Sequence, residues 1–161
     1  MSAVVVSDAS PLNYLVLINA VELLPRLFSA VLIPPAVAAE LSSKSAPSVV
    51  LVFLHQPPPW LEIITPKHID HSLGLDAGET EAIALAAELG LKAILMDERK
   101  GRRVAVQRGL LTVGTLAVLE QSAACGWIDF GEHIRRLRAT TFRFHEQLVA
   151  EASERLKARR P

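Results

Sequence analysis

The chain has 161 residues and a mass of 17.5 kDa, with 50% hydrophobic and 21% charged residues; this is typical of one compact globular domain and excludes a disordered protein. Residues 1–98 hold 4 basic and 11 acidic side chains, a net −7, whereas residues 99–161 hold 13 basic and 6 acidic ones, a net +7. A lone cysteine, Cys125, excludes an internal disulfide, and no apolar run is long enough to span a bilayer. These features, with no basic segment of a signal peptide at the start, predict a cytoplasmic protein without membrane contact.

The charge asymmetry favours an acidic site beside a basic surface, as expected where a metal ion and a polyanion meet. The alternative is a solvated basic tail without a specific role.

The first half of the chain alternates short apolar runs with segments that favour helices. The β-branched run at 3–7 predicts a strand that ends at Asp8, and Ser10 and Pro11 predict the N-cap and first position of a helix to about Ile18. The next segments are predicted as a short helix at 22–28, a strand at 30–33, a helix at 36–41, an apolar segment at 48–55 that is either helix or strand, a strand at 61–65, and a loop or single turn at 67–75.

The second half is more regular. Ala, Leu and Glu throughout 76–89 predict the clearest helix, which Gly90 ends. The remaining segments are predicted as a strand at 93–96, a basic helix at 99–108, a strand at 111–113, a helix at 115–124, and two helical pieces from Asp129 onward that are split near Thr140. This alternation predicts an α/β fold with a mainly parallel sheet of about five strands and helices on both faces.

Four acidic side chains are predicted to meet at one edge of this sheet. Asp8 and Asp97 follow strands, and open α/β sheets bind ligands beyond the carboxyl ends of their strands. Glu79, in the first turn of the clearest helix, and Glu40, in the helix after the second strand, can reach the same edge. Because unpaired carboxylates repel one another, and because Mg²⁺ and Mn²⁺ prefer oxygen ligands, the four acids predict a divalent-metal site.

Each acid also has a structural alternative. Asp8 can help to cap a helix, and Asp76 is expected to be an N-cap rather than a ligand. Glu79 and Glu81 both suit a helix N-terminus, and they face different sides, so both cannot serve one metal equally well. Glu98 is expected to point away from the site.

Five segments carry a resemblance to a known family: SDASPLNYL (7–15), PPAVAAEL (34–41), LDAGETEAIALA (75–86), LMDERKGRRVA (95–105) and VGTLAVL (113–119). In this order they resemble the PIN-domain family, and most closely its uncharacterised prokaryotic branch similar to VapC-type toxins of toxin–antitoxin pairs. The likeness covers roughly 3–128. It implies a PIN-like three-layer α/β/α domain over 1–128, with a basic helical C-terminal extension at 129–161 packed on or beside it.

The resemblance implies that Asp8, Glu40, Glu79 and Asp97 form the catalytic, metal-binding site for Mg²⁺ or Mn²⁺. Three positions differ from the family pattern. Glu79 occupies a position where an Asp is more usual, and Leu95 occupies the position two residues before Asp97 where family members often have a Ser or Thr. Thr115 lies near the position where family members often have a further acid. Ser10 and Thr115 are expected to support the site.

The activity implied by the resemblance is divalent-metal-dependent cleavage of RNA phosphodiester bonds, as the toxin of a toxin–antitoxin pair. The partners are then an RNA substrate, a cognate antitoxin and a second copy of the chain. The basic residues expected to hold the RNA backbone are Arg99, Lys100, Arg102 and Arg103, for which the alternatives are a solvent-facing helix surface or an anchor to another subunit. The apolar segments 12–18 and 49–54 are each either a dimer face or core.

Two other hypotheses remain open. The first is a catalytically degenerate PIN-like domain that binds nucleic acid or a partner protein without cleavage. The second is a receiver-like or phosphatase-like domain with an acceptor Asp, which is disfavoured because no Lys follows the fifth predicted strand.

Overall fold

The computed structural model describes residues 3–160. The strands are β1 (Val4–Ser7), β2 (Ala30–Ile33), β3 (Leu61–Ile63), β4 (Ala93–Leu95) and β5 (Leu111–Val113). The α-helices are α1 (Ala9–Leu17), α2 (Leu24–Leu27), α3 (Pro35–Leu41), α4 (Ser48–His55), α5 (Ala77–Glu88), α6 (Arg99–Gln107), α7 (Thr115–Ala124), α8 (Phe130–Arg138) and α9 (Glu146–Ala158). Short 3₁₀ turns lie at Val21–Leu23 and His71–Leu73.

The five strands form one parallel sheet in the order β3-β2-β1-β4-β5. On one side of β1 lies β2, and β3 pairs with the far side of β2. On the other side of β1 lies β4, and β5 pairs with the far side of β4. The switch point of this topology therefore lies between β1 and β4, whose pairing aligns Val6 with Ile94 and Ser7 with Leu95. In such sheets the crevice beyond the carboxyl ends of these two strands is the place where ligands bind.

Helices cover both faces of the sheet. Val5 and Val6 have no exposed surface and belong to different apolar clusters, because successive strand residues point to opposite faces. The cluster around Val6 includes Ile83 of α5 and Ala105 of α6. The cluster around Val5 includes residues of α1, α3, α4 and α7–α9. The predicted three-layer α/β/α fold is confirmed.

Most predicted elements are confirmed, and the differences lie at their ends. The segment 48–55 is a helix, and 22–28 is a 3₁₀ turn followed by α2. β3 ends at Ile63, and β4 ends at Leu95, two residues before Asp97. The predicted N-cap was wrong: α1 begins at Ala9, with Asp8 at the N-cap position, so Ser10 lies inside the helix.

The C-terminal helices pack on the main core. Phe130, Ile134 and Leu137 of α8 and Val149 of α9 are buried in the cluster around Val5. The division at residue 128 stays a prediction, and residues 1, 2 and 161 of the two predicted ranges lie outside the described part of the chain.

The two candidate dimer segments differ in exposure. Leu12 and Leu15 of α1 have no exposed surface, so this helix is core. Val49 and Val52 of α4 are 49% and 64% exposed. The homodimer itself stays a prediction. Within residues 3–160, no helix is both long and apolar enough to cross a membrane.

Candidate functional site

Two of the predicted acids lie at the switch point of the sheet. Asp8 follows β1, and its backbone N–H donates to the carbonyl oxygen of Leu95 at the end of β4, at 2.9 Å. Asp97 comes two residues after Leu95. The edge pairing therefore brings both acids to the crevice where parallel sheets bind their ligands.

Three hydrogen bonds hold the Asp97 carboxylate. Its Oδ1 accepts from the backbone N–H of Thr115 at 2.7 Å, and its Oδ2 accepts from Ser10 Oγ at 2.8 Å and Thr115 Oγ1 at 2.7 Å. Ser10 and Thr115 therefore position Asp97, and Ser10 does so from inside α1 rather than as its predicted N-cap. A carboxylate offers about four lone-pair sites, so three donors leave one free.

Asp8 and Glu40 face the same part of α5. A Cβ atom on Gly78 would lie 3.3 Å from Asp8 Oδ1 and 3.5 Å from Glu40 Oε1. Because residue 78 has no side chain, the first turn of α5 lies directly against these two carboxyl groups. Glu40 thus reaches the edge of the sheet from α3, as predicted.

Glu79 reaches the crevice from the first turn of α5. Its side chain is 7% exposed, and its Oε2 is buried without a hydrogen-bond partner. A Cβ atom on Gly101 of α6 would lie only 2.6 Å from this Oε2, so the glycine makes room for the carboxyl group. An unpaired buried carboxylate is costly, and the group must either stay protonated or meet a cation.

The pKa values of Asp8 and Glu40 are raised. The pKa of Asp8 is about 7: burial is the largest cause, a hydrogen bond from the Ala9 backbone opposes it, and the charges of Asp76, Glu40 and Asp97 act in the same direction as burial. Partial loss of hydration and the charge of Asp76 raise the pKa of Glu40.

The pKa of Glu79 rises for the same reasons. It is raised to about 8, mainly by burial, and a hydrogen bond to Asp76 and the charges of Asp76, Asp8 and Glu98 act in the same direction. Burial combined with nearby like charges is a frequent property of functional sites.

Asp76 belongs to the acidic cluster, although sequence reasoning assigned it only a structural role. Its Oδ1 accepts from the backbone N–H of Glu79 at 2.8 Å, which confirms the predicted N-cap of α5. Its charge also acts on Asp8, Glu40 and Glu79. The sequence did contain a signal for this role. Because α5 begins at the edge of the sheet where ligands bind, the residue at its N-cap must lie at that edge too.

The other neighbouring acids have different roles. Glu81 Oε1 accepts from the backbone N–H of Ala36 at the start of α3, at 3.1 Å, so it is separate from Glu79 as predicted. Glu98 lies at the N-cap position of α6. Its charge contributes to the raised pKa of Glu79, and its predicted orientation away from the site stays a prediction.

The donor set fits a hard divalent cation. In the part of the chain that the structure describes, no ion pair involves Asp8, Glu40, Asp76, Glu79 or Asp97. In residues 3–160, however, no three His, Cys, Asp or Glu side chains are grouped closely enough to hold a metal ion. The carboxylate oxygens match the ligand preference of Mg²⁺ and Mn²⁺, and their role as metal ligands stays a prediction.

Basic side chains of α6 adjoin this cluster. A Cβ atom on Gly114 would lie 2.7 Å from Arg102 Nη1 and 3.1 Å from Asp97 Oδ1, so the guanidinium lies beside Asp97. Lys100 Nζ donates to the carbonyl oxygen of Gly74 at 2.6 Å, and Arg99 and Arg103 are exposed. Within residues 3–160, none of these four forms an ion pair, whereas several C-terminal arginines are paired with nearby glutamates.

A protein-family model described as a PIN domain matches residues 4–158, nearly the whole chain. The chain belongs to the PIN-domain family. PIN domains are generally nucleases and usually use divalent metal ions. A comparison with curated proteins finds no match.

Membership in the family supports a nuclease-type function for this PIN domain. The match also extends past residue 128, so the family model includes α8 and α9. The likeness to the branch of VapC-type toxins, and the roles of the individual site residues, stay predictions.

Proposed function

We propose that this PIN domain is a divalent-metal-dependent ribonuclease that hydrolyses RNA phosphodiester bonds. One observation carries the proposal: the buried Oε2 of Glu79 has no hydrogen-bond partner, and it lies in a cluster where burial and nearby acids raise the pKa values of Asp8 and Glu79. In their ionised form such carboxylates destabilise the fold unless a cation is bound.

Asp8, Glu40, Glu79 and Asp97 would hold Mg²⁺ or Mn²⁺, in part through water. When bound, the ion supplies a more acidic water and stabilises negative charge on the transferring phosphoryl group. All four candidate ligands are carboxylates, which agrees with the preference of these ions for oxygen.

The chain's own residues then orient the reaction. Ser10 and Thr115 hold the Asp97 carboxylate in one orientation through three bonds. Arg102 lies beside Asp97, and Arg99 and Arg103 are exposed on the same helix, so α6 can bind the phosphates of the RNA backbone.

We further propose that the nuclease is the toxin of a toxin–antitoxin pair. The support is the resemblance of the five motif segments to the VapC-like branch of the family. A short adjacent reading frame whose product binds this protein and inhibits cleavage would agree with this role, and an adjacent product that leaves cleavage unchanged would contradict it.

The experiment compares RNA cleavage by the wild type, Asp8→Asn and Asp97→Asn while Mg²⁺ or Mn²⁺ is titrated. Glu62→Gln is the matched control, because Glu62 is an exposed acid on β3. We expect cleavage that requires the metal, is unchanged in the control and is lost in both aspartate variants, with thermal unfolding showing that they are folded. Undiminished cleavage in both aspartate variants would remove the proposal.

A second function has one specific observation in its favour. Protein donors occupy three of the lone-pair sites of Asp97, and Thr115 stands near the place where a further acid is expected. This arrangement favours a domain that binds RNA or a partner without cleaving. It predicts salt-sensitive RNA binding and no turnover with any divalent metal, and a clear metal titration of cleavage would exclude it.

A further inference from the structure

A groove of about 630 Å³ opens beside the acidic cluster. One end is formed by Ser10 and Glu40, and the groove then runs along Asn13 and Tyr14 of α1 to Thr140 and Thr141 of the connection between α8 and α9. Ligand sites for small organic molecules commonly have about 300–1,000 Å³. The groove therefore has room for one nucleoside next to a phosphate held at the acids.

The groove lining combines apolar residues with neutral polar ones and carries almost no charge. Among the described residues that line it, Glu40 is the one charged side chain, and the polar ones are the neutral Ser10, Asn13, Tyr14, Ser43, Ser45, Thr140 and Thr141. Neutral side chains can bind both phosphates and bases, but a groove without a Lys or Arg lacks the charge that favours a phosphate, whereas its amide and hydroxyl groups can pair with base edges. The chemistry of the groove thus differs from that of α6 on the same molecule.

The far wall of the groove is built from well-packed groups. Tyr14 Oη and Thr141 Oγ1 are hydrogen-bonded at 2.9 Å, although the two residues are 127 positions apart. The Tyr14 ring packs edge-on against Phe142, with centroids 5.1 Å apart, and Phe142 packs in the same way against Phe144. Preorganised polar groups cost little to order when a ligand binds.

We infer that this groove is a subsite for one unpaired nucleobase and its ribose, next to the phosphate that is cleaved. Asn13 and Thr141 are its specificity-determining residues, because an amide and a hydroxyl can pair with base edges. The inference deepens the proposed ribonuclease function and rests on it. It also assigns a part in substrate binding to the connection between α8 and α9.

The test measures binding separately from cleavage. A fluorescein-labelled single-stranded RNA pentamer is titrated with wild type, Asn13→Ala, Thr141→Val and the control Gln147→Ala in EDTA, over a series of salt concentrations. An abasic pentamer of the same length is the second probe. Gln147 is a suitable control because it lies on exposed α9 and bonds only to Glu151.

We expect Asn13→Ala and Thr141→Val each to raise the Kd for the RNA pentamer about 3- to 10-fold, the loss typical of one neutral hydrogen bond. The slope of log affinity against log salt should not change, because no phosphate contact is lost. The control should bind as the wild type does, and the abasic probe should bind equally to all four proteins. With metal added, KM should rise in both variants while kcat stays unchanged.

Several results would overturn the inference. RNA affinity that is unchanged in both variants would mean that the groove takes another occupant, such as a protein partner. An equal loss of affinity for the abasic probe would mean that no base is recognised. If the wild type still cleaves RNA in a metal-dependent way, these results contradict the subsite and leave the proposed nuclease function standing. If the wild type cleaves no RNA with any metal, the proposed function is contradicted, while the RNA-binding data for the groove variants still stand.

Discussion

Asp8→Asn is expected to stabilise the metal-free protein at alkaline pH. Burial and the charges of Asp76, Glu40 and Asp97 raise the pKa of Asp8 from 3.8 to about 7. Between these two values the folded protein keeps a proton that the unfolded chain has released. The free energy of unfolding therefore decreases as the pH rises through this window, and it stays reduced above it.

The magnitude follows from the difference between the two pKa values. At about 1.4 kcal/mol for each tenfold change in proton affinity, the ionised Asp8 lowers the stability above pH 7 by roughly 4 kcal/mol. A buried asparagine amide without full hydrogen bonding costs about 1–2 kcal/mol, so the net gain of the variant at pH 8 is about 2–3 kcal/mol. This corresponds to a rise in Tm of about 5–10 °C for a chain of this size.

Urea unfolding in EDTA, followed by the fluorescence of Trp60 and Trp127, measures the effect at pH 4.5 and pH 8. The variant should be more stable than the wild type at pH 8 and no more stable at pH 4.5, while Glu62→Gln should match the wild type at both. Added Mn²⁺ should stabilise the wild type at pH 8 and stabilise Asp8→Asn much less. An Asp8→Asn protein that is no more stable than the wild type at pH 8 would refute the reasoning about charge repulsion.

Three further predictions concern the surroundings of the acids. Gly101→Ala places a methyl group 2.6 Å from Glu79 Oε2 and 2.5 Å from the sulfur of the buried Met96, so it should weaken Mn²⁺ binding measured by calorimetry and lower the free energy of unfolding by about 1–3 kcal/mol. Unchanged Mn²⁺ affinity would contradict the placement of the Glu79 carboxyl group. Thr115→Val removes one charge-assisted hydrogen bond to Asp97, so thermal or urea unfolding should show a free energy of unfolding lower by about 1.5–3 kcal/mol. Thr115→Ser keeps the hydroxyl and should recover this stability. Equal stability of the valine and serine variants would argue against the hydrogen bond. Arg103→Ala removes an exposed arginine of α6, so the slope of log RNA affinity against log salt should decrease by about 0.7 while Tm stays unchanged. The control is Arg135→Ala, because Arg135 lies on α8 and is ion-paired with Glu132. An equal change of slope in the control would count against α6 as the RNA-binding surface.

Local sequence patterns were sufficient for much of the fold. The run at 30–33 and the segment 115–124 match β2 and α7 residue for residue, because β-branched runs and glycine stops act over short distances. Asp8 and Asp97 could be assigned to one edge for the same reason: in a parallel sheet, residues that follow strands share an edge. The segment 48–55 could not be assigned, because a short run that is apolar throughout satisfies both the helix and the strand period.

The site residues show what local patterns miss. Ser10 has the sequence context of an N-cap, yet its hydroxyl binds Asp97, which is 87 positions away. Asp76 is the N-cap that its context predicts, and its charge also acts on three other acids. A cap pattern describes a helix end and contains no information about which carboxylates face that end.

The amino-acid sequence by itself determined the alternation of elements, the parallel sheet and the acids that follow its strands, since these depend on neighbours a few residues apart. Only the tertiary structure decided that Glu79 Oε2 is buried without a hydrogen-bond partner and that Tyr14 bonds to Thr141, 127 positions away, in the wall of a groove. The physical reason is that desolvation and mutual repulsion depend on distances in space, and the order of residues along the chain does not contain these distances.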